Sequence, residues 1–290
     1  MGDSGAILTL IFKSGNSILM KIELMDKLSE HDRLGIAQQF DYSKFSLYSL
    51  ITQSTAIEGS TVTEVENQLF FDEGIPPKKR NLSEVLMNLD LHRAYQLSIR
   101  FAKQHRDYSL AMLRELGAAV LKNTGGCYNT AVGTFDSSKG DLRKVNVSAG
   151  ASGKSYINYS KVEGRLKKWC SEVNEKRKEL LKSEEVYGKY LFTFDSHLDL
   201  LTIHPWVDGN GRTARLVMNQ LQFELGLIPA KILKEDKAEY IDALIKAREG
   251  HDPSVFSFFV MASHIRNLQA ETREFKKSQE VSDDEMFSLD

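Results

Sequence analysis

Residues 204–215 read His-Pro-Trp-Val-Asp-Gly-Asn-Gly-Arg-Thr-Ala-Arg, and they separate two predicted helices. An apolar pattern at helical spacing runs over residues 184–203 and leads into this stretch. Pro205 ends that helix, because proline has no N–H to donate and its ring clashes with the preceding turn. The Asp-Gly-Asn-Gly run at 208–211 does not suit a helix, and a second helical pattern begins at residue 212. The stretch therefore predicts a tight turn at the junction of two helices.

The turn has the composition of an anion-binding site. Gly209 and Gly211 flank Asn210, and glycines permit positive φ angles and a close approach of backbone N–H groups to an anion. The amides at the start of the second helix also face such a ligand. Arg212 and Arg215 are three residues apart and project from one side of that helix. Two guanidiniums placed in this way could fork onto consecutive phosphates, so the turn predicts a polyphosphate site.

His204 and Asp208 give the turn groups that could take part in chemistry. A carboxylate beside bound phosphates usually holds Mg²⁺, which makes Asp208 the candidate metal ligand. His204 is the natural general base, since the pKa of an unperturbed histidine is near neutrality. Taken singly, Asp-Gly-Asn-Gly is a common turn that also resembles the start of a calcium loop, and a histidine before proline is often structural. The remaining ligands of a calcium loop are missing, so the combination favours a catalytic phosphate site.

The rest of the chain predicts a mainly α-helical protein. We divide it into an N-terminal appendage at 1–44, a helical domain at 45–272 and a flexible acidic tail at 273–290. Apolar residues recur at helical spacing in many segments, and besides 184–203 the predicted helices are 61–71, 82–104, 109–122, 160–181, 212–225, 237–248 and 253–272.

Two segments have a sequence pattern typical of β-strands instead. The runs Ile7–Phe12 and Ser17–Glu23 flank Gly15-Asn16, which predicts a small N-terminal β-hairpin. The glycine-rich segment 129–155 contains the β-like run Arg143–Val147, which predicts a strand or hairpin within the helical domain.

Composition excludes several classes of protein. The chain has 290 residues, a net charge of −2 and 41% hydrophobic residues, which is an ordinary globular balance. A general nucleic-acid or membrane-surface binder needs a basic excess, so neither partner is expected. Cys127 and Cys170 cannot form a disulfide framework or a cysteine zinc site. No apolar run is long enough to span a bilayer, and we expect a cytoplasmic protein.

His204–Arg215 resembles the signature of the Fic family, H-P-F-x-[D/E]-G-N-G-R-x-x-R, with Trp206 in place of the phenylalanine. The resemblance extends over about residues 45–270 and implies a Fic-like helical bundle with a β-hairpin flap. It also implies transfer of AMP from ATP to a Ser, Thr or Tyr hydroxyl of a target protein, or of the chain itself, with release of pyrophosphate.

The resemblance implies a role for each residue of the turn. His204 would deprotonate the target hydroxyl, and Asp208 would hold Mg²⁺. Asn210 and the amides near Gly209 and Gly211 would form the anion hole. Arg212 and Arg215 would hold the β- and γ-phosphates. Glycine at position 209 favours adenylylation over phosphorylation, because relatives that phosphorylate their targets carry a bulkier residue there.

The flap that the resemblance implies lies near residues 143–147. Arg143, Lys144, Val145, Asn146 and Val147 would pair with an extended target segment through main-chain hydrogen bonds. The sequence departs from the family pattern in two places: it has an inserted Asp136–Gly140 run, and it has no counterpart near Leu116-Gly117 for the family's usual histidine.

Two aromatic side chains outside the turn have open roles. Tyr240 either stacks on the adenine or packs its helix. His197 is seven residues before His204 and is interpreted as a packing histidine, with a metal triad of His197, His204 and Asp208 as the minor alternative.

A second motif, Ser54-Thr-Ala-Ile-Glu58-Gly59, resembles the family's inhibitory helix motif, [S/T]-x-x-x-E-[G/N]. Glu58 would pair with Arg215, which the γ-phosphate would otherwise engage, and Ser54 would steady the helix. The alternative is ordinary helix capping.

Three functions remain open from the sequence. The first is a self-inhibited protein adenylyltransferase, and the second is removal of AMP from modified proteins, with Glu58 positioning a water. The third is a nucleotide-sensing protein without turnover, which the intact His204 disfavours. The sequence gives neither the target nor the choice between monomer and homodimer.

Overall fold

The computed structural model describes residues 4–148 and 155–287, and the side chains of 17–148 and 155–280. No helix in this described part is both long and apolar enough to cross a membrane. Ten α-helices and one β-hairpin make up this part of the chain, and the helices are α1 (Ser4–Arg33), α2 (Tyr42–Ile57), α3 (Glu64–Glu73), α4 (Leu82–Lys103), α5 (Leu110–Val120), α6 (Val162–Leu180), α7 (Val186–Ile203), α8 (Asn210–Glu224), α9 (Lys237–Gly250) and α10 (Pro253–Phe287).

Helix α8 forms the centre of the bundle, between α4 on one side and α7 on the other. Nearly all of its side chains are buried, including polar ones. Several of these polar groups are paired: Asn219 accepts a hydrogen bond from Tyr95 at 2.6 Å, and Gln222 donates to Thr193 at 3.0 Å. A helix buried on all sides is rigid only if such groups are satisfied, so α8 is a fixed support for the turn that precedes it.

Two hydrophobic clusters surround α8. The first joins α2, α4, α5 and α6 to α7 and α8, and includes Leu91, Leu116 and Trp206. The second joins α1, α9 and α10 to α7 and α8, and includes Leu24 and Phe256. The 204–210 turn lies at the end of α7, so both clusters hold the helices that position it.

The predicted N-terminal β-hairpin is wrong. Residues 4–33 form helix α1, which packs on α10 and α7. Leu24 is fully buried, and Met20 and Leu28 pack beside it in the second cluster. These three residues are four apart, which is the spacing of one helix face, and burial of that face against α10 outweighs the turn preference of Gly15-Asn16.

The β-structure of the central segment also differs from the prediction. The hairpin consists of β1 (Cys127–Thr130) and β2 (Gly133–Asp136), with Cys127 opposite Asp136. Residues 143–147 are not a strand. An isolated antiparallel bridge joins Ser148 to Ser155, and residues 149–154 of the glycine-rich segment lie outside the described residues.

Helix α10 extends beyond its predicted end at residue 272. The described residues 273–287 are helical, where the sequence predicted a flexible acidic tail. Lys276 of α10 contacts Glu30 of α1 at 2.6 Å, which joins this part of α10 to α1.

Candidate active site

The turn between α7 and α8 has an unusual backbone. His204 follows the last residue of α7 and has left-handed dihedrals, φ 52° and ψ 66°. The Asn210 side chain closes the turn, because it accepts a hydrogen bond from the Trp206 N–H at 3.0 Å and donates one to the Trp206 carbonyl at 2.9 Å. Gly209 has φ 74°, which favours glycine. The turn therefore presents the N-terminus of α8, with its unpaired amides, beside His204.

Trp206 anchors the turn in the core. It is fully buried, and its Nε1 donates to the Gly140 carbonyl at 3.3 Å. A Cβ atom on Gly117 would lie only 2.7 Å from Cε2 and Nε1 of this indole. The glycine on α5 thus gives Trp206 its space, which accounts for a larger aromatic side chain at this position of the motif.

The two arginines of the turn have different surroundings. Arg212 is 4% exposed, and its Nε and Nη1 groups are buried without any hydrogen-bond partner in the described structure. Its Nη2 lies 3.4 Å from Asp208 Oδ2. Buried donors are normally paired, so Arg212 has the unfilled hydrogen-bonding capacity expected of a residue that awaits an anion.

Arg215, by contrast, is fully engaged with α2. Its Nε donates to Ser54 Oγ and its Nη2 to the Ser54 carbonyl, both at 2.9 Å. Nη2 also contacts Glu58 Oε1 at 2.5 Å. The sequence predicted these three residues as a set, and the structure brings them together.

The Glu58 carboxylate lies against the N-terminus of α8. A Cβ on Gly211 would be 2.6 Å from Glu58 Oε1, so the carboxylate occupies space directly beside the turn. Burial alone would raise the pKa of Glu58, but the guanidinium of Arg215 outweighs it and holds the pKa below its ordinary value, with Arg212 adding to the effect. Glu58 is therefore an anion already placed where the turn would accept one.

A buried polar network fixes the end of α2 that carries Glu58. Thr55 donates to Asn88 Oδ1 at 2.8 Å, and Asn88 Nδ2 donates to Ser60 Oγ at 3.0 Å. Asn67 of α3 also donates to Asn88 Oδ1 at 2.8 Å. Because Thr55 and Ser60 flank Glu58, Asn88 ties both sides of the glutamate to α4.

His204 is enclosed by residues distant in sequence. Tyr156 stacks on its ring, with centroids 3.8 Å apart and planes at 17°. Burial, together with the charges of Arg143 and Arg248, lowers the pKa of His204 to about 4, while Asp208 opposes them. The imidazole is therefore neutral near pH 7, which is the form that accepts a proton. Sequence reasoning missed Tyr156 and Arg248, because no local pattern connects them to the turn.

The predicted docking residues have mixed positions. Arg143 is 1% exposed, and its backbone N–H donates to the Pro205 carbonyl at 3.0 Å, whereas the prediction concerned main-chain hydrogen bonds from residues 143–147 to a target. Lys144 donates to the Thr134 carbonyl at 2.8 Å. Asn146 Oδ1 accepts from the Tyr159 N–H at 3.1 Å. Docking through residues 144–147 stays a prediction.

Tyr240 lies behind Arg215 rather than at an open surface. It is 1% exposed, and its hydroxyl is 3.0 Å from His197 Nε2 and 3.5 Å from Arg215 Nη1. In this position its ring has no free face for a base. His197 is fully buried, its ring stacks on Phe256, and burial lowers its pKa to about 3. Both are packing residues that support Arg215.

Asp208 is the carboxylate of the turn available to a metal. Its side chain is 62% exposed, and Oδ1 accepts the Gly209 N–H at 2.6 Å. Within the described residues, no three His, Cys, Asp or Glu side chains are grouped closely enough to bind a metal by themselves. Mg²⁺ commonly uses one or two carboxylates, water and substrate phosphates, so a single exposed aspartate beside a phosphate site fits this ion.

Comparison with known proteins agrees with this geometry. Residues 107–222 match the model of the Fic/DOC family. The chain is 38% identical over 91 residues to protein adenylyltransferase Fic of Nematostella vectensis, a match that covers 31% of this chain and 21% of that protein. It is 47% identical over 55 residues to the protein of the same name from Drosophila mojavensis, covering 19% and 11%. The matches thus span about a fifth or less of these relatives.

Solved structures share the fold. Fic-1 of C. elegans superposes with a TM-score of 0.68 at 22% identity, over 93% of this chain and 76% of that one. A Fic domain containing signaling protein from Bacteroides thetaiotaomicron gives 0.67 at 19% identity, over 90% and 97%. The helical bundle is therefore a Fic fold, as the sequence predicted.

Proposed function

We propose that this chain, which carries a Fic/DOC domain over residues 107–222, transfers AMP from ATP to a Ser, Thr or Tyr hydroxyl of a protein, itself included. One observation carries the proposal: the neutral His204 adjoins a helix N-terminus whose buried Arg212 has two unpartnered donor groups. Two relatives named protein adenylyltransferase Fic match 91 and 55 residues of this chain, which supports the same reaction here.

The chain's own residues account for each step of the transfer. His204 accepts the proton of the target hydroxyl, and the oxygen attacks the α-phosphorus of ATP. The bond from that phosphorus to the bridging oxygen breaks, and pyrophosphate leaves. The amide at Gly211, at the N-terminus of α8, stabilises the charge on the transferred phosphate. Arg212 and Arg215 hold the β- and γ-phosphates by charge-assisted hydrogen bonds.

Asp208 would hold Mg²⁺ in this site. The ion would supply positive charge to the phosphate oxygens. The Asp208 carboxylate is 62% exposed and is held in place by the Gly209 N–H, so it stays accessible to the ion.

We further propose that Glu58 inhibits the enzyme. ATP needs Arg215 for its γ-phosphate, and Glu58 with Ser54 already occupies that guanidinium. The carboxylate also lies against Gly211, where phosphate would repel it. ATP could bind beside Glu58 only in a displaced pose, which is unfit for in-line attack.

Removal of AMP from modified proteins is the second candidate. The observation that favours it is the Glu58 carboxylate itself, which is ionised because Arg215 lowers its pKa and whose side chain is 35% exposed. An ionised carboxylate at this position could orient a water toward a bound phosphodiester. Under this reading Glu58 is required for activity instead of opposing it.

Labelling with α-³²P-ATP and Mg²⁺ separates these functions. The proteins are the wild type, Glu58→Gly, Glu58→Gln as a control of similar size without charge, and Glu58→Gly/His204→Ala. We expect label on the two Glu58 variants, at least ten-fold above the wild type if a full charge pair is released, and none on the double variant. Labelled Glu58→Gly protein is then incubated with unlabelled wild type. Loss of label there, dependent on Glu58, would establish AMP removal, and no label on any variant would reject transfer.

A further inference from the structure

Arg143 joins the flap segment to the catalytic turn. Its side chain donates from Nε to the His204 carbonyl at 2.8 Å, and its backbone N–H donates to the Pro205 carbonyl at 3.0 Å. The remaining side-chain nitrogens donate to the Val145 and Ile157 carbonyls at 2.8 and 2.6 Å. We propose that Arg143 is a positioning residue, which sets the orientation of His204 and couples it to the flap. The proposal rests on the function proposed above.

The partners of Arg143 show that it acts through hydrogen bonding and not as half of an ion pair. All of its acceptors are backbone carbonyls, and no carboxylate lies within ion-pair distance in the described part of the chain. A buried charge without a counterion is costly, and burial accordingly lowers the pKa of Arg143. An apolar side chain would fill the same space without this cost. What arginine adds is a planar group with several fixed donors, which can bridge three separate segments.

The three segments have distinct functions. His204 belongs to the catalytic turn, Val145 to the predicted docking run, and Ile157 to the segment that returns from the flap. Tyr156, adjacent to Ile157, stacks on the His204 ring, and its N–H donates to the Val147 carbonyl at 3.0 Å. If the flap shifts when a target docks, the hydrogen bonds of Arg143 to the backbone carbonyls would shift with it. The Tyr156 ring that covers His204 would also move.

The backbone of His204 needs the hydrogen bonds of Arg143. Its φ of 52° lies in the left-handed region, which is unfavourable for a residue with a side chain and persists when surrounding contacts fix it. Arg143 contacts the carbonyl oxygens of both His204 and Pro205, the two residues that a single peptide bond joins. Without these bonds the peptide could rotate, and the imidazole would leave the position from which it reaches the target hydroxyl.

The charges around His204 act in the same direction. Arg143 from the flap segment and Arg248 from α9 lower the pKa of His204, while Asp208 from the turn raises it, and Tyr156 covers the ring. The guanidinium of Arg143 thus favours the proton-accepting form as well as the correct orientation. These two effects can be separated by substitution.

Two variants separate orientation from charge, both in the Glu58→Gly background. Arg143→Lys keeps a positive charge but cannot bridge three carbonyls, so we expect kcat to fall about ten- to a hundred-fold with KM for ATP nearly unchanged. The acid limb of its pH profile of kcat should lie at the same pH as in the parent protein. Arg143→Ala should also lose kcat, and its acid limb should move to higher pH. Guanidinium ion, added well below denaturing concentrations, should restore part of the Arg143→Ala activity, whereas tetramethylammonium, which has no donors, should not.

Arg177→Lys is the matched control. Arg177 is also 1% exposed, but it pairs with Glu224 and Asp107, away from the turn. This variant should lose stability, but its kcat and the acid limb of its pH profile should not change. If the folded Arg143→Lys variant behaves like Arg177→Lys, the positioning role is refuted. Should Arg143→Ala fail to fold, Arg143→Lys alone decides.

A readout independent of turnover protects the inference from failure of the proposed function. The His204 imidazole resonances can be followed by NMR in Glu58→Gly and in its Arg143→Lys derivative, with His204→Ala for assignment. A displaced resonance and weakened exchange protection of the turn amides support positioning even where no protein becomes labelled. Unchanged resonances refute it, whether or not AMP is transferred.

Discussion

A methyl group added at Gly117 tests the packing that holds the catalytic turn. Gly117 lies on α5 against the indole of Trp206, and Trp206 is fully buried. The proposed change is Gly117→Ala, made both in the wild type and together with Trp206→Phe. The two positions face each other across the core, so the effect of the first substitution should depend on the second.

The expected magnitude follows from the contact distances. The new Cβ would lie 2.7 Å from Cε2 and Nε1 of Trp206 and 2.9 Å from Cζ2, whereas carbon atoms pack at about 3.5–4.0 Å. Overpacking a core costs about 1–3 kcal/mol, and Trp206 is held by its bond to the Gly140 carbonyl. In the interior of a helix, alanine is more stable than glycine by about 0.5–1 kcal/mol, which offsets part of this cost. Gly117→Ala should therefore lower the free energy of unfolding by roughly 1–2 kcal/mol.

Phenylalanine at position 206 should reverse the sign of this effect. It lacks the indole atoms that the new methyl would meet, so alanine at 117 would fill the vacated space and keep its helix preference. The coupling between the two sites is then about 2 kcal/mol. Urea unfolding of the four proteins, followed by circular dichroism, measures it. Equal destabilisation by Gly117→Ala in both backgrounds would show that Gly117 and Trp206 do not constrain each other.

Three further predictions concern the proposed inhibition by Glu58 and the buried histidines. Asn88→Ala should raise labelling several-fold in the wild type and add nothing to Glu58→Gly, since it acts by loosening α2; lower labelling in both would contradict this. The activity of the Glu58→Gly variant should stay constant from about pH 6 to 8, because the pKa of His204 is about 4. A loss of activity with a midpoint near pH 6.5 would contradict the burial of the His204 ring. The free energy of unfolding should decrease as pH falls from about 6.5 toward 4. The pKa of His204 and of His264 is about 4, and that of His197 about 3, so the unfolded chain takes up protons that the folded one does not. A flat urea-midpoint profile over this range would contradict it.

Much of the site could be predicted because its residues are local. His204, Asp208 and the two arginines fall within twelve consecutive positions, and the geometry of a turn and a helix N-terminus determines what they can face. The pairing of Glu58 with Arg215 spans most of the chain, and only the family resemblance made it visible. The helices between residues 82 and 250 were predicted within a few residues, since their apolar spacing is regular, whereas α10 runs past its predicted end at residue 272 to Phe287.

The errors arose where tertiary contacts outweigh local preference. Gly15-Asn16 suits a hairpin, yet α1 continues through it because Leu24 and its neighbours bury a helix face against α10. Arg143 was predicted only as part of a run whose main chain docks a target, and nothing in the sequence indicated that its side chain is buried. Its burial depends on carbonyl groups of residues 204, 145 and 157 converging on one point, and no sequence period encodes such convergence.

The contact between Glu58 and Arg215 joins residues 157 positions apart, and their order along the chain has a consequence for biosynthesis. Translation proceeds from the N-terminus, so α2 leaves the ribosome long before α8. When the turn at 204–210 first emerges, Glu58 is already present on the same nascent chain. No stage of synthesis therefore contains the turn without α2, so under the proposed inhibition an open site requires a later event that moves α2 away.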